Sequence, residues 1–200
     1  MKFNLGDEID LALTTSMQHE MLLCQEAFHA FVHHVTGTSS PVEQLRRYNS
    51  YTRFLHHLYE FYVACFKRDA NDTANLKHTT VEKLLNAEVR KLLRNRREAI
   101  RGGYAPAWEN HISVYEVAAP ETFASRFRMI RNSTAHVDYR RALNEVSRFY
   151  AECHLFAMLL YNSGVAYWSV QDVAAVNWKA IGEFPLPGRY ALARGGESLG

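Results

Sequence analysis

The stretch DEIDLALTTSMQHEMLLCQEAFHAFVHHVTG, residues 7–37, carries Ile9, Leu13, Met17, Met21, Cys24, Phe28, Phe31 and Val35 at helical spacing. Side chains three and four apart share one face of a 3.6-residue turn, so the spacing predicts a long amphipathic helix over about 7–36, stopped at Gly37. The same period recurs outward. Ser40-Pro41-Val42-Glu43 has the form of a capping box with Pro at the first helical position. It opens a second helix whose expected buried face is Leu45, Tyr48, Thr52, Leu55, Tyr59, Tyr62 and Phe66. A polar loop over 68–77 leads to a third helix from about Thr79, with Val81, Leu85, Val89, Leu92 and Ile100 inward and Gly102-Gly103 as its stop. Beyond an aromatic, irregular stretch over 104–119, Pro120 and Glu121 open a helix through Phe123, Phe127 and Ile130. A last long helix carries Leu143, Val146, Tyr150, Cys153, Ala157 and Leu160 and is expected to close at Gly164.

No alternating run of strand length competes with this pattern, and no repeat of solenoid length is present. The expected fold is therefore all-α: an up-and-down bundle of four main helices with short helical additions. One domain is expected over 1–184, with its core at about 7–163 and a helical addition at about 165–184 that includes a short helix over 170–181. Residues 185–200 read as a flexible tail with a Gly-Gly break.

Two hundred residues, 48% hydrophobic and 22% charged, are ordinary globular composition and enough to bury a sizeable core. The longest apolar stretch, 155–161, is far short of a bilayer, and the first residues carry no apolar run, so neither export nor membrane insertion is expected. Cys24, Cys65 and Cys153 each fall on an apolar stripe without a C-x-x-C pattern, which suits reduced thiols in a cytoplasmic protein. The net charge is only +2, but residues 77–101 hold eight Lys and Arg against three Glu. Such a run is either a solvated helix face or a surface that tracks phosphates.

Chemistry concentrates in Arg131-Asn132-Ser133-Thr134-Ala135-His136, where one helix gives way to the next. Arg is a permanent cation whose planar fork suits phosphate oxygens, and His titrates near neutrality. Together they are the minimum for cleaving RNA without a metal: Arg131 to stabilise charge on the phosphorane-like transition state, His136 to take or give the proton. With no carboxylate cluster to activate water, the 2′-hydroxyl is the expected nucleophile, and a 2′,3′-cyclic phosphate with a 5′-hydroxyl fragment the expected product. Asn132 is placed to orient phosphate or to cap the turn. Arg148 and His154 have comparable spacing, but inside one helix a separation of six turns them about 120° apart, and that pair is read as structural.

The Arg131 segment resembles the Arg-polar-x3-His signature of the HEPN superfamily, all-helical proteins many of which are ribonucleases of toxin–antitoxin, abortive-infection and CRISPR systems. The resemblance implies a motif near the start of the final bundle helix. It also implies a homodimer in which two motifs face one cleft, so that two His and two Arg complete the site. Arg126, Arg128, Arg140 and Arg141 would extend the phosphate-binding floor, and Tyr139 would stack a base or pack. An antitoxin or regulatory protein is the partner such toxins have. Two positions depart from the family pattern: Val137 follows the His where many members have Gly, and Asp138 stands where the subfamily silenced by nucleotidylation has Tyr. Asp138 is placed either to tune His136 or to cap the next helix.

Other constellations offer less. Glu26-x-x-His29 matches one element of a di-iron bundle, but the chemistry needs a second copy and further carboxylates. His33-His34 and His56-His57 are adjacent pairs, which diverge on a helix instead of chelating as an i, i+4 pair would. The expectation is a ribonuclease with neither metal nor cofactor. The alternative is a cleavage-inactive helical module that binds RNA, a nucleotide or a partner protein, and a third reading is an all-α scaffold that ignores nucleic acid.

Overall fold

In a computed structural model that describes residues 1–37, 40–109, 111–135 and 145–168, the chain is all-helical. Its elements are α1 (Glu8–Val35), α2 (Pro41–Asp69), α3 (His78–Arg101), two short 3-10 turns (Ala107–Glu109 and Ile112–Tyr115), α4 (Phe123–Ala135) and α5 (Glu145–Trp168). Among the described residues the only extended pairing is an isolated bridge between Lys2 and Asp72. None of these helices is long and apolar enough to cross a membrane.

Local chemistry sets the helix ends. Asp7 accepts the Ile9 and Asp10 amides at 2.9 Å and starts α1. Ser40 Oγ accepts the Glu43 amide at 3.2 Å, with Pro41 at the first position of α2. Only half of the capping box forms, because the Glu43 carboxylate binds His34 Nδ1 at 3.0 Å and Arg46 at 2.5 Å instead of returning to Ser40. At the end of α3 the Gly103 and Tyr104 amides return to Ile100 O and Ala99 O at 3.2 and 2.9 Å. Gly103 meets the φ of +71° that this closure requires, so Gly102-Gly103 is the stop the sequence announces.

α1 and α2 lie antiparallel along their whole length. Asp10 meets Arg68, Glu20 meets His57 and His34 meets Glu43, so partners advance in opposite directions along the two helices. α3 turns back along α2, with His78 beside Lys67 and Glu88 beside Tyr62. α5 runs the same way as α2: Tyr51 pairs with His154, Phe54 with Tyr161 and Phe61 with Trp168. α2 touches all four other helices and is the centre of the core. That position explains why its buried face is wider than one stripe. Phe54, Leu58 and Phe61 are buried along with the expected Leu55, Tyr59 and Tyr62, whereas Leu45 is 60% exposed. Val35, at the end of α1, is exposed as well.

Phe123 and Phe127 of α4 pack on Phe149 of α5 with ring centroids 5.7–5.8 Å apart, and Tyr59 of α2 meets Phe127 edge-on at 5.4 Å. The expected stop at Gly164 is not one. α5 continues to Trp168, and Gly164 is buried where α5 crosses α1 and α2. A Cβ there would overlap the Met21 methyl and stand 3.2 Å from Phe61 Cε1, so the glycine is a packing requirement. Leu143, the short helix expected over 170–181 and the tail over 185–200 lie outside the described residues.

Candidate functional site

α4 has two faces. Phe123, Phe127 and Ile130 are buried, and Arg128, Arg131 and Asn132, three and four residues apart, share another side. That side looks onto α2, where Tyr59, Glu60, Val63 and Lys67 recur at the same spacing. Between them lies a cleft of about 410 Å³, closed at one end by Asn75, Leu76 and His78 from the α2–α3 connection and the start of α3. Its lining holds Lys67, Arg128, Arg131 and His78 together with one carboxylate, Glu60.

Arg131 is held from two directions. Its Nε donates to Glu60 Oε1 at 2.5 Å, and Nη1 donates to Asn132 Oδ1 at 3.0 Å. The pair is 29% and 27% exposed, so the guanidinium is oriented at a surface and not sealed in the interior. Among the described residues Nη2 has no hydrogen-bond partner, leaving donors for an oxyanion in the cleft. Asn132 thus orients the arginine. Ser133 and Thr134 donate to Ile130 O at 3.1 and 2.8 Å, bonds to their own helix.

Arg128 lines the same cleft, with Nε 2.7 Å from Glu82 of α3. Arg126 does not join it. Five residues before Arg131, it faces about 140° away, reaches Glu152 at 2.6 Å and lies 6.0 Å from the Phe149 ring, so it belongs to the α4–α5 contact and not to a phosphate floor. His136, Asp138, Tyr139, Arg140 and Arg141 lie outside the described residues.

Two residues whose charges interact with Arg131, one in the cleft and one outside its lining, are not evident from the sequence. Glu60 looked like one more polar residue on a helix, and its pairing with Arg131 spans 71 residues, a relation that no local spacing encodes. His56, one turn before Glu60, was set aside with its neighbour His57. Burial, and then the charge of His57, hold the His56 imidazole below the usual histidine range; Glu60 opposes this and Arg131 reinforces it. The two rings diverge as expected, with centroids 5.2 Å apart and His57 Nδ1 turned to Glu20 at 2.8 Å.

The remaining sequence candidates are structural. His154 Nδ1 lies 3.1 Å from Tyr51 Oη inside the aromatic core, while Arg148 is exposed beside Glu145, so the second Arg/His pair does not converge. Burial pushes all three thiols up, Cys65 to about 12, which leaves no thiolate at neutral pH. Much of the basic run in α3 is matched by carboxylates: Lys91 to Glu88, Arg96 to the buried Glu109, Arg101 to Glu116. In comparisons with known proteins, no family model, no curated protein and no solved structure matches the chain.

Proposed function

We propose that the chain is a metal-independent endoribonuclease of the HEPN type with a four-helix bundle core. On this reading it acts as a cytoplasmic homodimer, a toxin or abortive-infection effector cutting cellular RNA under the control of an antitoxin or other regulatory protein. The observation that carries the reading is the meeting of Arg131 and Asn132 over a cleft shared with Lys67, His78 and Arg128, on a helix whose described span ends at Ala135, the residue before His136. The alternating directions of α1, α2, α3 and α5 support the bundle.

In the reaction the RNA 2′-oxygen bonds to phosphorus as His136 takes its proton, the P–O5′ bond breaks, and His136 of the partner subunit returns a proton to the departing 5′-oxygen. Arg131 stabilises the charge that builds on the non-bridging oxygens, and Lys67 and Arg128 draw the backbone into the cleft. No step requires a metal or cofactor. The Arg131–Glu60 ion pair favours a second reading, an RNA-binding module that does not cut, because the carboxylate occupies donors that a phosphate would use.

Incubation with single-stranded RNA in excess EDTA separates the two. Cleavage leaving 2′,3′-cyclic phosphate ends, with DNA untouched and Arg131→Ala and His136→Ala each slower by about a hundredfold or more, supports the nuclease. RNA bound but left intact supports the module, and RNA neither bound nor cut overturns both.

A further inference from the structure

Arg90, Arg94, Arg97 and Arg101 follow one another at intervals of four, three and four residues, which places them in a single stripe on the side of α3 turned away from Val81, Leu85 and Val89. At 1.5 Å per residue the stripe runs about 16 Å. Arg90, Arg94 and Arg97 line a cleft of about 320 Å³ whose opposite wall is the extended backbone of Val117, Ala118 and Ala119. Two carboxylates compete at the stripe. Glu98 stands 3.9 Å from Arg94 and Glu116 3.5 Å from Arg101, each in an exposed pair, and Arg90 has no ion pair among the described residues. Arg97 Nη1 donates to Tyr115 O at 3.3 Å and ties the wall to the helix.

The C-terminal end of the stripe is aromatic. Tyr104 is 88% exposed and Trp108 79%, more open to solvent than any other large ring except Tyr167 among the described residues. Trp108 is not on a loose loop: the next residue, Glu109, is buried and held by Arg96 at 2.8 Å and by Tyr115 Oη at 2.7 Å. Tyr104 lies against Gly102, where any Cβ would meet its ring within 2.8 Å. A row of arginines followed in the chain by solvent-facing rings is the combination that single strands use, backbone along the charges and bases on the rings.

We propose that this stripe and the Tyr104/Trp108 rings bind single-stranded RNA, as a surface separate from the Arg131 cleft, on the other side of α3 from the Val81 that lines that cleft. The choice of RNA over other polyanions rests on the function proposed above. The surface sets affinity and the length of strand engaged, while the cleft carries the chemistry.

The test is anisotropy of a fluorescein-labelled, unstructured RNA of about 16 nucleotides, titrated with the full chain carrying His136→Ala so that the probe survives. Adding R90A/R94A/R101A should weaken binding at least about tenfold and flatten the salt dependence by about two in the log–log slope. Adding Y104A/W108A should weaken it about fivefold or more, and a duplex of the same sequence should lose less. In the nuclease-competent chain the triple substitution should leave turnover at saturating RNA within about threefold. Unchanged affinity in both variants overturns the proposal and leaves the nuclease reading standing. So does an aromatic variant that alters only self-association in sedimentation. Stripe-dependent binding without cleavage keeps the proposal and ends the nuclease reading, and a chain with no RNA affinity ends both.

Discussion

Arg131 Nε donates to Glu60 Oε1 at 2.5 Å, fastening the end of α4 to the middle of α2. A pair still open to solvent is worth about 0–1 kcal/mol, so its weight lies in what it does to the guanidinium and not in stability. Glu60→Gln keeps the shape and removes the charge. RNA binding should tighten about threefold at low salt, with the thermal midpoint nearly unmoved, as read by anisotropy and calorimetry. Weaker binding in this variant would mean that the carboxylate aims the arginine more than it competes for it.

Asp10 accepts Arg68 Nε at 2.7 Å, Arg68 Nη2 at 3.2 Å and the Gly6 amide at 2.8 Å, while being only 3% exposed. The Arg68 hydrogen bond, then that of Gly6, hold its carboxyl below the usual 3.8. A lowered carboxylate stabilises the fold above about pH 4 and ceases to do so as pH falls through its folded value. Asp10→Asn should therefore lower the melting temperature at pH 7, and the gap to the unaltered chain should close as pH falls through the lowered folded value. A gap that is constant with pH would show that packing alone is at work.

Burial lowers the pKa of His154, whose Nδ1 faces Tyr51 Oη. Between that lowered value and the usual 6.5 the unfolded chain binds more protons than the native one, so this contribution is complete above pH 6.5 and shrinks as pH falls. His154→Gln keeps a hydrogen-bonding side chain but cannot titrate. Its melting temperature should fall less between pH 7 and pH 5 than that of the unaltered chain, and adding His56→Gln should flatten the profile further. Parallel profiles would count against both assignments.

Gly164→Ala sets two effects against each other. Alanine is the better helix former by about 1 kcal/mol, but overfilling a packed interior costs about 1–3 kcal/mol. Met21 and Phe61, which the new Cβ would meet, are both buried. The expected outcome of urea unfolding is a net loss of about 1 kcal/mol. A gain would mean that the Met21 methyl swings aside without strain.

Helix order and most inward stripes were legible because each is a short-range pattern: Met17, Met21 and Cys24, or Val81, Leu85 and Val89, state their face within a few turns. What escaped the pattern is non-local. Gly164 reads as punctuation, since glycine usually ends helices, and only the crossing of α1 and α2 over it reveals another role. Arg126 and Arg131 look equivalent in sequence, yet their angular separation sends one into the α4–α5 contact and the other into the cleft. The role of Glu60 is visible only once the chain has folded back across a separation of 71 positions from Arg131. The half of the motif that begins at His136 lies outside the described residues.

Asn86 of α3 donates through Nδ2 to Glu121 O at 3.1 Å, and its Oδ1 accepts the Ala124 amide at 3.3 Å, so α4 begins on a side chain borrowed from another helix. At thirteen residues α4 is of a length that barely persists unaided in water. Its opposite end holds Arg131. Any molecule that grips α3 thereby takes hold of a lever whose far arm is the guanidinium, and a change at Asn86 should be felt as a displaced Arg131.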